Sequence, residues 1–268
     1  MKPEDYYEII KVNEHLVVIR ESLVQIEPNY LVNLTNIYLL LGTHSALLID
    51  TGCGMVPLKP IIAEYIEDRA LHVVNTHFHF DHSGGNHEFE KIYIHESEAS
   101  LIEKERDLSF LTNTPQDFKE ILKKRNYKLL GTTNAQKIKE GYSFKLGGLN
   151  LTVLHTPGHS RGSVCLYSDR GHLFTGDLAY YGTLYLPPLD QLNQMFTSIQ
   201  KLIKITQGKQ LQHIYPAHEE YDLEPDLLWK LQDRLSKLET LMEGGTIHPF
   251  TGCLFLEDDP FNYMIRLK

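Results

Sequence analysis

The chain has 268 residues, 42% of them hydrophobic and 23% charged, which is enough apolar material for a full core and argues against wholesale disorder. A net charge of -9 argues against nucleic acid as the main partner, because phosphate binding needs a basic face. The three cysteines, Cys53, Cys165 and Cys253, form no CxxC pair; a cysteine-rich zinc module or disulfide scaffold is disfavoured, and all three are expected to be small buried hydrophobes.

The N-terminus, "MKPEDYYEII", lacks a basic stretch followed by an apolar one. No apolar run approaches the ~18 residues of a membrane span, so a cytoplasmic protein without stable membrane insertion is expected. "HLVVIRE" and "NIYLLLG" read as strands, and "SALLIDTG" as a short buried strand ending in turn residues. Residues 57–69 place Leu58, Ile61, Ile62, Tyr65 and Ile66 at helical spacing. "LHVVNTH" is a strand that runs into "THFHFDHSGG"; "GGNHEF" starts a short helix, "KIYIHE" is a strand and "SEASLIEKE" a helix. Residues 106–134 are polar around one helical segment, "PQDFKEILKKRNY", and read as an inserted cap. Strand patterns return in "YSFKLGG", "LNLTVLHTPG", "SVCLYSD" and "HLFTGD". A helix over 189–205, the strand "QHIYPAHE" and a long helix over 225–242 follow. The tail, "GCLFLEDDPFNYMIRLK", is expected to add an edge strand or a lid. Two halves with strands inside and helices outside predict a four-layer αββα sandwich, formed as one domain over 1–268 with the cap at 106–134.

Three of the fourteen histidines lie within "THFHFDHSGG". His77, His79, Asp81 and His82 follow a buried strand, where α/β folds place their sites. In an extended segment His77 and His79 point to one side and can share a metal, while Asp81 and His82, at the turn, face a second point close by. Imidazole nitrogen and carboxylate oxygen suit zinc and similar ions. Four ligands in six residues do not satisfy two metals, and the chain offers others at equivalent strand ends: His159 in "HTPGHS", Asp177 in "FTGD" and His218 in "YPAH". A lone histidine at such a place is ordinarily solvated or hydrogen-bonded, and a lone Asp177 would be a turn former; the combination is not explained that way. His15, His44, His72, His87, His95, His155, His172, His213 and His248 are read as surface or supporting residues.

HxHxDH, followed by His159 in "TPGHS", Asp177 in "TGD" and His218 in "PAH", resembles the metallo-β-lactamase-fold hydrolase superfamily across residues 36–218. The resemblance implies two divalent ions, zinc by default with manganese or iron as alternatives. It implies that His77, His79 and His159 bind the first ion, that Asp81, His82 and His218 bind the second, and that Asp177 bridges them with a hydroxide that attacks a carbonyl. Asp50, in "IDTG", would support the metal loop. Tyr180, three residues after the bridge, would donate to the oxyanion or leaving group, and Asp81 would carry a proton.

Among branches of that superfamily, the chain lacks the cysteine ligand of one lactamase subclass and the glutathione-binding stretch of glyoxalase II. "THFHFDHSGG", "LTVLHTPGHSRGSVCLY" and "GDLAYYGTL" resemble the animal metallo-β-lactamase-domain acyl-CoA thioesterases, which implies a small-molecule thioester substrate. Acyl-homoserine lactonases share the tyrosine and imply a lactone instead, and a mononuclear-iron persulfide dioxygenase is the reading from another class. "YYGTLYLPPL" is then expected to line an acyl pocket. Lys119, Lys123, Lys124, Arg125 and Lys128 form the most basic local patch and are expected to meet the phosphates of CoA.

Overall fold

The structure, a computed structural model, describes residues 2–208 and 211–267. The first four residues of the Leu16–Ser22 strand are all buried. Side chains leave a strand on alternating faces, so this run needs cover on both. Leu16 and Val18 enter one apolar cluster, Val17 and Ile19 another. Leu34–Leu41 divides in the same way, Tyr38 and Leu40 against Leu39 and Leu41, and so does Ser45–Ile49.

These strands belong to a seven-stranded sheet, ordered Glu8–Lys11, Leu16–Ser22, Leu34–Leu41, Ser45–Ile49, Ala70–Val74, Ile92–His95 and Ala135–Ile138. A five-stranded sheet runs Ser143–Lys145, Asn150–His155, Val164–Ser168, His172–Gly176 and His213–Pro216. It sends Phe144, Leu151, Val153, Leu166, Phe174 and Tyr215 into the cluster that holds Leu16, Val18, Tyr38 and Leu40, so the two sheets face one another across it. Helices cover the outer faces. Ile61 and Ile62 of Lys59–Ile66 lie in the other cluster with Val17, Leu39 and Leu48, and Met195, Ile199 and Leu202 of Leu192–Thr206 lie there with Cys165, Leu173 and Ile214. This is the four-layer αββα arrangement expected from the pattern.

Several local expectations are corrected. The motif around His79 is not extended: residues 76–79 bend, and Phe80–Ser83 forms a single helical turn before Gly84. Within "YYGTLYLPPL", Gly182–Leu186 is a strand, parallel to Phe261–Ile265. The tail supplies two antiparallel strands, Leu254–Asp258 and Phe261–Ile265, to a four-stranded sheet that includes Gly182–Leu186. The long helix over 225–242 is interrupted: Leu227–Leu235 ends and a short turn, Leu238–Leu241, follows. Cys53 and Cys165 are buried, but Cys253 is only half-buried, in the loop before Leu254–Asp258.

Residues 106–134 contain the helix Gln116–Lys124 and a two-stranded pair, Arg106–Asp107 with Lys128–Leu129. Leu108, Leu111, Phe118, Leu122 and Leu129 are buried in the large apolar cluster, so this segment packs into the body of the protein. Its basic patch is smaller than the sequence suggests. Arg125 donates to the Gly54 carbonyl at 2.8 Å, and Lys128 pairs with Glu105 at 2.9 Å. Among the described residues, no helix is long and apolar enough to cross a membrane.

Candidate metal centre

Five strand ends converge. Ser45–Ile49 and Ala70–Val74 are parallel neighbours, which sets Asp50 beside the chain that leads into Thr76 and His77. His172–Gly176 and His213–Pro216 are also parallel neighbours, and deliver Asp177 and His218 together. Asn150–His155 runs out toward His159. The sheets are tied at this edge: Asn36 N donates to the Ala217 carbonyl, and Val164 N to the Thr76 carbonyl. Close approach needs glycine here. A Cβ on Gly84 would lie 2.1 Å from the Cys53 carbonyl oxygen, so only glycine lets the turn after His82 pack on the "DTGCG" loop.

The structure brings all seven sequence-predicted ligands together. His77, His79 and His159 form one group, His77, His82 and Asp177 a second, and Asp81, His82 and His218 a third, with candidate ligand atoms within 4.8 Å of one another in each. His77 Nε2 and His159 Nε2 stand 2.9 Å and 2.8 Å from His79 Nδ1. Donors about 2 Å from a tetrahedral ion are separated by about 3.3 Å, so these nitrogens are spaced much as one ion requires. Asp177 reaches every group. Its Oδ2 lies 3.3 Å from His159 Nε2, 3.2 Å from His218 Nε2 and 3.9 Å from His77 Nε2, and its Oδ1 lies 3.1 Å from His82 Nε2. Asp81 Oδ2 lies 3.2 Å from His82 Nε2 and 3.6 Å from His218 Nε2.

The outer hydrogen bonds leave the right atoms free. Asp50 Oδ2 meets His82 Nδ1 at 2.9 Å, the Tyr185 carbonyl meets His159 Nδ1 at 2.8 Å, and the Leu34 carbonyl meets His218 Nδ1 at 3.0 Å. Each acceptor places the proton on Nδ1 and turns an Nε2 lone pair into the site, which is how ligating histidines are oriented. Asp50 also accepts from Thr76 N at 2.7 Å and Thr76 Oγ1 at 2.8 Å. Its own backbone sits at φ 65°, a left-handed conformation that is uncommon outside glycine and is held here by those bonds. Buried Glu21 accepts from Cys53 N at 2.7 Å and so fixes the loop that follows Asp50.

Charge and saturation fit a cation. His82 Nε2 and Asp177 Oδ1 are buried without a hydrogen-bond partner, although they stand 3.1 Å apart. Two acceptors so placed are aimed at a common point, and a positive ion there satisfies both. Burial pushes His77 well below the usual imidazole range, with His82 adding to the effect, and burial pushes His79 down to about 3, so both are neutral donors. Burial also acts on His82, but Asp177, Asp81 and Asp50 outweigh it and hold that ring well above its ordinary value. For Asp177, burial is outweighed by His218, His82, His159 and His77, which keep the carboxylate ionised well below its usual range. Burial acts on His218 too, but Asp177 and Asp81 raise it, so the carboxylates draw positive charge to this side of the cluster, whether as protons or as a bound cation.

Tyr180 departs from its expected role. It is fully buried, its hydroxyl donates to the Thr183 carbonyl at 2.6 Å, and its ring packs edge-on against His218 with centroids 5.2 Å apart. The hydroxyl is thus engaged with the backbone in this structure. Tyr180→Phe should lower stability by about 1–2 kcal/mol, the cost of an unpaired buried carbonyl, while kcat and metal content hold. A tenfold or greater fall in kcat with an unchanged melting temperature would return Tyr180 to catalysis.

Sequence reasoning missed two charged residues beside the cluster, the buried Glu98 and the half-buried Arg106. A glutamate in "SEASLIEKE" and an arginine opening a polar segment look like solvated positions, and no local signal distinguishes them.

The metallo-beta-lactamase superfamily matches residues 31–243 of the chain. The acyl-coenzyme A thioesterases MBLAC2 of Bos taurus and Homo sapiens are each 32% identical to it over 206 residues, covering 69% of this chain and 73% of theirs. Among solved structures, the metallo-beta-lactamase from Pontibacter korlensis superposes with a TM-score of 0.63 at 19% identity, covering 86% of this chain and 99% of that one.

Proposed function

This chain belongs to the metallo-β-lactamase superfamily, and we propose that it is a metal-dependent hydrolase of thioesters, with an acyl-coenzyme A as substrate. The observation that carries the hydrolase reading is the cluster of five imidazoles and two carboxylates in which Asp177 faces every group. The thioester reading is supported by the likeness to the MBLAC2 thioesterases over more than two thirds of both chains. The donor set suits two zinc ions, and manganese or iron takes the same donors. Bound there, divalent ions lower the pKa of water and polarise a carbonyl oxygen.

In this reading His77, His79 and His159 would hold one ion, Asp81, His82 and His218 would hold the other, and Asp177 would serve both. The chain's own groups orient and exclude. Asp50 sets the His82 tautomer. Asp81 directs Oδ2 toward His82 and His218 and, in this reading, would carry the proton. Phe110, 48% exposed, packs edge-on against Phe80 at 5.7 Å, and Phe80 stacks with Tyr30 at 6.1 Å, which offers an aromatic shelf to an acyl chain. With Arg125 and Lys128 engaged within the protein, Lys123 and Lys124 are the exposed cations left in the 106–134 segment to meet phosphate.

Metal-loaded protein assayed side by side on long-chain acyl-CoA, acyl-homoserine lactone and S-lactoylglutathione tests this. Acyl-CoA should exceed the others in kcat/KM by at least about tenfold, about 1.4 kcal/mol of transition-state preference. Turnover of the lactone alone would overturn the thioester reading, and one iron per chain with oxygen consumption would overturn the hydrolase reading.

A further inference from the structure

The two residues between the ligands His77, His79 and Asp81 are phenylalanines, and the cluster's first group depends on how the chain through Phe78 is held. Both peptide units between His77 and His79 are gripped by charged side chains from elsewhere. Glu98, fully buried, accepts from Phe78 N through Oε2 at 3.1 Å. Arg106 donates to the Phe78 carbonyl through Nη1 and to Ser83 Oγ through Nη2 at 2.8 Å. Ser83 Oγ in turn donates to the Phe78 and His79 carbonyls at 2.8 Å and 2.7 Å.

Glu98 also reaches the other loop of the same group. Its Oε1 accepts from Gly162 N at 2.8 Å, three residues past His159. The contact is dense: a Cβ on Gly162 would lie 2.6 Å from Glu98 Cγ. Residues 160–163 form a closed turn, with Ser160 N donating to Ser163 Oγ at 3.1 Å, so a fixed Gly162 fixes His159. One carboxylate therefore joins the loop of His77 and His79 to the loop of His159 through backbone amides.

We infer that Glu98 and Arg106 are positioning residues that brace the His77–His79–His159 group, and that residues 106–110 thereby set the geometry of that metal site. The second spacer is engaged by the same stretch, since Phe110 packs on Phe80. Burial lowers Arg106 to about 10, against the pull of Glu98 and Asp81, so the guanidinium remains charged at neutral pH. Its fork serves two acceptors at once, which a lysine ammonium at the end of a flexible stem does not reproduce. A buried charge such as that of Glu98 is costly unless it is paired and hydrogen-bonded, and here both of its carboxylate oxygens are spent on backbone amides in the loops that carry proposed ligands.

The inference rests on the proposed metal centre, and the test separates the two. Metal-free protein is titrated with Co2+, read by its visible ligand-field absorption, and Zn2+ affinity is measured against a competing chelator. His159→Ala is the control for the centre: cobalt binding equal to wild type in that variant would remove the metal reading itself. Given that the control loses cobalt, Glu98→Gln and Arg106→Lys should weaken the three-histidine ion by about 10–100-fold, the usual cost of losing an outer partner of a metal ligand, and should alter the cobalt spectrum. Glutamine keeps the volume but offers one acceptor for two amides. A lowered melting temperature in metal-free Glu98→Gln with unchanged cobalt affinity and spectrum would overturn the brace and leave Glu98 a residue of general stability. Should Glu98→Gln not fold, the titration of Arg106→Lys decides by the same two criteria.

Discussion

Asp177→Ala should reduce kcat/KM by about a thousandfold, roughly 4 kcal/mol of transition-state stabilisation, and lower the metal content from two ions per chain toward one. The expectation follows from which atoms face which. Asp177 is the carboxylate with one oxygen toward His82 and the other toward His159, His218 and His77. Without it the three-histidine group keeps its nitrogens at 2.8–2.9 Å and retains an ion. Asp81, His82 and His218 keep one carboxylate among them and lose the negative charge that faces His82 Nε2 at 3.1 Å. The fold should survive, because the side chain makes its contacts within the cluster and Gly176 and Ala217 hold the strand ends through their backbones. Metal analysis and steady-state kinetics on the same preparation check this. Near-normal turnover with two ions bound would sink the bridging role, and loss of both ions would make Asp177 essential to the first group as well.

The cluster was legible in the sequence because its ligands sit in short, recognisable turns after apolar strands, and strand ends are where such folds gather side chains. His77, His79, Asp81, His82, His159, Asp177 and His218 needed only that logic and a family resemblance. What surrounds them was legible in proportion to how local it is. Asp50 lies in the turn of a predicted strand, where the sequence singles it out, and it meets His82 Nδ1. Glu98 was not, because its role appears only when residues 78 and 162 come to either side of it. The same limit applies to the fold. The buried strands 16–22, 34–41 and 45–49 announce themselves by apolar runs, whereas the parallel pairing of Gly182–Leu186 with Phe261–Ile265 joins segments far apart in the chain. Tyr180 is the opposite case. Its spacing from Asp177 is local and suggestive, but the strand that begins at Gly182 turns its hydroxyl onto Thr183.

Asp50→Asn isolates the support of one histidine from the integrity of the backbone. Asparagine is among the residues most at home at positive φ, so the conformation at 65° is retained. Its amide oxygen can still accept from Thr76 N in place of Oδ1. The amide nitrogen, however, replaces Oδ2 and presents a donor to His82 Nδ1, where an acceptor stood at 2.9 Å. His82 then accepts at Nδ1 and carries its proton on Nε2, pointing into the cluster where a lone pair is required. The ion held by Asp81, His82 and His218 should bind about 10–100-fold more weakly, while the three-histidine group, which contains no atom of His82, keeps its affinity. Chelator-competition titration of zinc resolves the two steps. A variant in which both steps match wild type would show that Asp50 does not set the His82 tautomer. A uniform loss of both steps, with a lower melting temperature in the metal-free protein, would mean that Asp50 acts through the Thr76 loop as a whole, since Thr76 immediately precedes His77.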